Sequence, residues 1–370
     1  MDTTLIAAII TAVATIAAAI ITVYLKARQQ PSSDNTPPET AQNQQAVTEE
    51  TTDQEELRAE QGSEMVTTDN LSIRVPYTSY SYPLDFTVPE DQGGLAQGQP
   101  MGGFGGDPSK SSDEHKAASR IVGKAPVVLI HGDPGSAAFD GGNMLGLKQM
   151  LNEVGYPDEL IWAPSYLEIW APSYFGTGIL DLENPHTSHV NEVREFLDNV
   201  CKYMDVEVVD IIAHSLGCTL AYAILRGLKG QTTPIEFNQP KKWHRVGAFV
   251  ALAGAFHGLG SSASGEWQTG GEFMRKLLAE YLGGGGETPF QEGQPETPPP
   301  GSHNITYFCG IAEDDLFDHQ NPGTGKLQGA INRVYRYDLD DRRRRHQEIK
   351  EDLAVFHDFL PFLNSVAPAP

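Results

Sequence analysis

The segment from Val208 to Ala221 reads Val-Val-Asp-Ile-Ile-Ala-His-Ser-Leu-Gly-Cys-Thr-Leu-Ala, and few folds can accommodate it. Its first half is a β-branched run that predicts a buried strand. Its second half opens a helix whose apolar residues Leu216, Leu220, Ile224 and Leu228 recur every four positions. Only a sharp turn fits between them, and the small residues Ala213 and Gly217 leave room for one around Ser215, with Ala213 standing where such turns usually carry glycine. A serine held at a strained bend of this kind becomes a nucleophile when a base and an acid reach it.

The rest of the chain repeats the same alternation. Strands are predicted at Ala125–Ile130, Leu160–Trp162, Val206–Ala213, Val246–Ala253, Ile305–Ile311 and Ile331–Tyr337. Helices are predicted at Asn143–Val154, at His189–Met204, and at the end of the chain, where Ile349, Leu353, Phe356, Leu360 and Leu363 keep helical spacing. Continuous apolar strands separated by helices predict an α/β fold: a mostly parallel sheet with helices on both faces. The 370 residues suffice for one large domain of this type. An octad at Ile161–Glu168 is partly repeated at Ile169–Tyr174, which reads as a local duplication in a loop after a strand. Gly258 to Asn304 is long and irregular except for the amphipathic stretch Phe273–Leu282, and reads as a lid or cap insertion over roughly residues 258–304.

Before residue 125 the character of the chain changes. Thr3 to Leu25 carries no charge and is long enough to cross a bilayer, so residues 1–28 are expected to be a transmembrane helix that anchors the protein in a membrane. Lys26 and Arg28 follow this run, which favours the cytoplasmic side for the large domain; the extracytoplasmic side stays open. Residues 29–70 are rich in Gln, Thr, Pro and Glu and read as a disordered acidic linker. Residues 71–124 read as an N-terminal extension in which tyrosines at 75–86 pack and Gly93 to Lys116 forms a glycine-rich interruption. The catalytic domain is expected at 125–370. With 26 basic against 49 acidic residues the net charge is −23, which excludes nucleic acid as a natural partner. Cys201, Cys218 and Cys309 show no metal-ligand spacing and read as buried thiols, so neither a metal nor an organic cofactor is expected.

Nucleophilic chemistry at Ser215 needs three further components. His131-Gly132-Asp133 follows a strand where a loop can turn back over the serine, so the main-chain amides of Asp133 and Leu216 are the expected oxyanion donors. For the acid, the strand ending at Ile311 leads into Ala-Glu-Asp-Asp-Leu-Phe. Asp314 is preferred there, with Asp315 and Asp318 as alternatives. For the base, His346 precedes the final helical repeat and can reach from a loop, whereas His357 lies inside the repeat and reads as a helix-surface residue, kept as the alternative. The run Arg342–Arg345 reads as a solvated turn answering Asp338, Asp340 and Asp341, and His257 reads as structural.

Taken together, the His131-Gly132 loop, the Ala213-His214-Ser215-Leu216-Gly217 elbow, the Leu252-Ala253-Gly254 strand end, Asp314 and the segment from His346 to Leu363 resemble the α/β-hydrolase superfamily. Within it they are similar to bacterial lipases with an Ala-His-Ser-x-Gly elbow and to lipase-like polyhydroxyalkanoate depolymerases. The likeness covers residues from about 120 onward. It implies Ser215 as nucleophile, His346 as general base and then acid, Asp314 as its orienter, and hydrolysis of lipid or polyester carboxylic esters through an acyl-enzyme. Thioester or amide cleavage, acyl transfer on the same triad, and a catalytically inactive binding protein are the alternatives.

Overall fold

A computed structural model describes residues 80–90, 100–132, 135–138, 143–166, 189–229, 245–260, 267–279 and 305–364. The expected anchor at 1–28, the linker at 29–70, the second octad copy and Asp133 lie outside these residues. Among the described residues no helix is long and apolar enough to cross a membrane.

Among the described residues eight strands form one sheet: β1 (Tyr80–Ser81), β2 (Gly102–Gly105), β3 (Val127–Ile130), β4 (Ile161–Ser165), β5 (Val209–His214), β6 (Val246–Leu252), β7 (Thr306–Ala312) and β8 (Ile331–Tyr335). Their spatial order is β1-β2-β4-β3-β5-β6-β7-β8. From β4 to β8 all neighbours run parallel, while β2 is antiparallel to β4. Strands β3, β5 and β6 are buried at every residue, as the unbroken apolar runs predict for a sheet covered on both faces. Seven α-helices accompany the sheet among the described residues: α1 (Ser112–Val122), α2 (Leu145–Glu153), α3 (Val190–Met204), α4 (Leu216–Leu225), α5 (Glu272–Ala279), α6 (Arg342–Glu348) and α7 (Leu353–Phe359).

Three sequence expectations need correction. The glycine-rich stretch from Gly93 to Lys116 is not simply an interruption, since it contains β2 and the start of α1. Glycine is used in β2 for close approach: a Cβ at Gly105 would lie 2.4 Å from the Trp162 ring. That ring also stacks with Tyr82 and packs against Phe86. The final helix is two helices, because Asp352 accepts a hydrogen bond from the Ala354 N–H at 2.7 Å and caps a new start after α6 has ended. Of the expected cap, α5 buries Phe273, Met274 and Leu277 in the main core, and residues 261–266 and 280–304 lie outside the described residues.

Asn364, near the end of the described residues, is tied to the central strands of the sheet. Asp210 on β5 accepts hydrogen bonds from the main-chain N–H of Asn364 at 2.6 Å, from its side-chain amide at 3.1 Å, and from the Ala248 N–H at 2.8 Å. Burial pushes the Asp210 carboxyl up to about 6 against the pull of these donors. Cys201, Cys218 and Cys309 are all free and buried.

Candidate active site

Parallel strands deliver their C-terminal ends to one edge of the sheet, and the chain after β3, β5, β7 and β8, with the end of β6, converges on Ser215. Ser215 has φ 59° and ψ −135°, a backbone region that a non-glycine residue occupies at a cost of about 1–3 kcal/mol. Its N–H donates to the Leu252 carbonyl on β6 at 2.9 Å, and its own carbonyl accepts from the Cys218 N–H at 3.0 Å, so the bend is pinned on both sides. The chain end after β3 presses directly on it. A Cβ at Gly217 would lie 2.2 Å from the His131 carbonyl oxygen, and one at Gly132 would lie 2.4 Å from the Ser215 Cβ and 2.9 Å from Oγ. Helix α4 starts at Leu216, so its first N–H groups have no intrahelical partner and point toward the bend.

His346 approaches from the far end of the sheet. Its Nε2 accepts from the Ser215 hydroxyl at 2.8 Å, and its Nδ1–H donates to Asp315 Oδ2 at 2.6 Å. Ser215, His346 and Asp315 are each no more than 3% exposed. The second oxygen of Asp315 is spoken for, accepting from the N–H groups of Phe317 and Asp318 at 2.8 Å each. Phe317 also packs edge-on against the His346 ring at 4.4 Å between centroids. The carboxylate is therefore fixed by its own loop before it meets the imidazole.

Asp314, the preferred acid from sequence, does not reach His346. It has φ 51°, and this left-handed residue turns its side chain outward while delivering the next one inward. Its carboxylate accepts from Arg342 Nε at 3.1 Å, Arg345 Nη1 at 2.7 Å and His319 Nδ1 at 3.0 Å. Arg342 foremost, with Arg345 and His319, holds that carboxyl below its usual range. Asp318 is used within the loop, accepting from the N–H groups of Asp314 and Gly323. Hence the carboxylate in contact with the imidazole is Asp315, one of the two alternatives. The arginine run is likewise not a turn. It forms α6, whose Asp341 cap accepts from the Arg343 N–H, and His346 sits on that helix rather than on a loop before it. His357 is exposed on α7, and Asp133 lies outside the described residues.

Two buried histidines flank this trio. His131 Nδ1–H donates to the Gly132 carbonyl at 2.8 Å, its Nε2 accepts from the Tyr166 N–H at 3.3 Å, and its ring stacks on Tyr166 at 4.3 Å. Burial lowers its pKa to about 4, so it stays neutral and rigid beside the elbow. His214 donates through Nε2–H to the His346 carbonyl at 2.8 Å, and burial, reinforced by the nearby His346 and Lys350, holds it well below its usual pKa. His257 is structural in geometry: its Nε2–H donates to the Lys326 carbonyl at 3.1 Å, and burial lowers its pKa to about 4.

A mostly parallel sheet, a strained serine between β5 and α4, a carboxylate after β7 and a histidine after β8, in the chain order serine, aspartate, histidine, are the arrangement of the α/β-hydrolase fold. Residues 124–272 match the family model described as lipase (class 2). Comparison with curated proteins finds no match. Among solved structures, the chain is similar to the lin2722 gene product of Listeria innocua at 14% identity, covering 65% of this chain and 94% of that one with a TM-score of 0.37. It is similar to lipase B of Aspergillus fumigatus at 16% identity, covering 76% of this chain and 64% of that one with a TM-score of 0.38. A structure from a study of carboxylesterases of Nitrososphaera gargenis shows 15% identity, with 65% and 91% covered and a TM-score of 0.34.

Proposed function

We propose that the protein is a serine carboxylic ester hydrolase of lipase or esterase type, acting on lipid or polyester esters. The observation that carries this reading is the unbroken chain of hydrogen bonds from the Ser215 hydroxyl through His346 to Asp315, built on a strained elbow. Ser215 Oγ attacks the ester carbonyl as His346 Nε2 takes its proton. Asp315 keeps Nδ1 protonated and stabilises the imidazolium that forms. His346 then returns the proton to the leaving alcohol, and water repeats the sequence on the acyl-enzyme. In this reading the main-chain N–H groups of Leu216, at the start of α4, and of Asp133, in the loop after β3, donate to the carbonyl oxygen as negative charge develops on it. The uncharged run Thr3–Leu25 supports a membrane-anchored enzyme whose large domain, by Lys26 and Arg28, faces the cytoplasm.

A fluorophosphonate probe tests the reading. Wild-type protein should be labelled at Ser215 and should hydrolyse p-nitrophenyl esters, and Ser215→Ala should do neither while keeping its melting temperature. A folded wild type that resists the probe would refute the proposal in favour of a binding protein. Labelling without ester turnover, but with thioester or amide cleavage, would move the substrate class.

A further inference from the structure

The residue before the nucleophile has a use that the triad leaves unassigned. His214 closes β5, is 1% exposed, and its Nε2 lies 2.8 Å from the main-chain carbonyl oxygen of His346, 132 positions away in the chain. That carbonyl sits in the last turn of α6, where the helix runs out of N–H donors: the Lys350 N–H goes to Gln347, and the Glu351 N–H to Glu348. A carbonyl only accepts, so the nitrogen facing it must carry the ring's proton. The other ring nitrogen, Nδ1, is buried and has no hydrogen-bond partner among the described residues.

We infer that His214 is a positioning residue for the general base: from the same elbow that presents Ser215, it holds the backbone of His346 and so sets the distance between hydroxyl and imidazole. Two consecutive residues of one strand end thus grip His346 at two points. Ser215 meets its ring, and His214 meets its carbonyl, with the two imidazoles 5.0 Å apart between centroids. The chain of atoms closes on itself through the 214–215 peptide, so a shift of α6 along the sheet edge must break one contact or the other. Asp315 and Phe317 act on the ring of His346, whereas His214 holds its backbone. The charged and titratable neighbours of His214 are His346, Lys350 and His131. Burial first, then the charges of His346 and Lys350 and last that of His131, disfavour a second proton on its ring, against the pull of the His346 carbonyl.

This inference rests on the hydrolase reading above, and its test is separable from it. In enzyme that labels with fluorophosphonate and turns over p-nitrophenyl butyrate, His214→Leu should lower kcat and the phosphonylation rate constant by roughly 100-fold, with KM changed less than three-fold. His214→Gln, whose amide N–H2 reaches to about the same place as Nε2–H, should recover at least ten-fold of that loss. A helix cap without a positioning role would move the melting temperature but not kcat. The inference is overturned if His214→Leu keeps kcat within three-fold of wild type, or if His214→Gln is no better than His214→Leu. Nitrogen-15 spectra of histidine-labelled wild type supply a second check that no folding defect can cloud. The signals missing from the His214→Gln spectrum should be those of a neutral ring protonated at Nε2, and an Nδ1–H tautomer or an imidazolium there would also overturn it.

Discussion

Substituting Asp315 by asparagine should abolish general-base catalysis without disturbing the fold, and the structure dictates how. Asp315 uses Oδ1 to accept from the N–H groups of Phe317 and Asp318, both at 2.8 Å, and Oδ2 to accept from His346 Nδ1–H at 2.6 Å. An asparagine has one acceptor oxygen, and two main-chain donors claim it, so its NH2 group must stand where Oδ2 stood and face Nδ1. Two donors cannot share that space. The imidazole will shed its Nδ1 proton and keep one on Nε2, which then points an N–H at Ser215 instead of a lone pair. The expected loss in kcat/KM is roughly 10³ to 10⁴, or about 4–5.5 kcal/mol of transition-state stabilisation. Asp314→Asn is the matched control. It removes a charge at the same loop, tolerates the left-handed backbone at φ 51°, and touches Arg342, Arg345 and His319 rather than His346, so it should stay within three-fold of wild type. His357→Ala should likewise keep most activity, its side chain being exposed on α7. The assay is p-nitrophenyl butyrate hydrolysis with active-site titration, alongside thermal unfolding to show that both aspartate variants are folded. An Asp315→Asn enzyme within ten-fold of wild type, or an Asp314→Asn enzyme more damaged than it, would refute the assignment of the acid.

Gly132→Ala puts a methyl group 2.4 Å from the Ser215 Cβ, an overpacking expected to cost about 1–3 kcal/mol of stability and to reduce kcat at least ten-fold, read by thermal unfolding and ester turnover together. Acid should destabilise the fold through its buried histidines. His131 and His257 have pKa values lowered from 6.5 to about 4, so between those values the unfolded chain binds more protons, and each withdraws roughly 3 kcal/mol as the pH falls through that window. Asp210, raised from 3.8 to about 6, works in the opposite sense, and stability that its ionisation removes above pH 6 returns on acidification. Urea unfolding at pH 7 and pH 4.5 should therefore show a net loss at the lower pH. That loss should grow when Asp210→Asn removes the opposing group, and an unchanged difference would contradict the role given to Asp210.

What was legible from sequence was what short-range pattern encodes. Apolar periodicity marked nearly every central strand, and the sharp bend at Ser215 was visible because only small neighbours permit it. His346 was preferred to His357 because a place within a helical repeat identifies a surface residue. The acid was different. Asp314 and Asp315 are adjacent, both follow a strand, and nothing in composition separates them. Asp314 has a left-handed backbone and its carboxylate meets Arg342 and Arg345 of α6, about thirty positions further on in the chain, while that of Asp315 meets His346. The Asp315-Leu-Phe-Asp sequence did carry one usable hint, since an aspartate that can accept from N–H groups two and three residues on reads as a turn former.

Local patterning thus determined the alternation of strand and helix and the elbow around Ser215, because each is written in the spacing of neighbouring residues. Tertiary structure alone decided that a glycine-rich stretch becomes β2, since its strand pairing comes from β4 and its need for glycine comes from the Trp162 ring. It also decided that Asp315 rather than Asp314 meets the imidazole, and that His214 holds the carbonyl of the residue beside which it never stands in sequence. Those outcomes follow from contacts between distant segments, whose energies no local window contains.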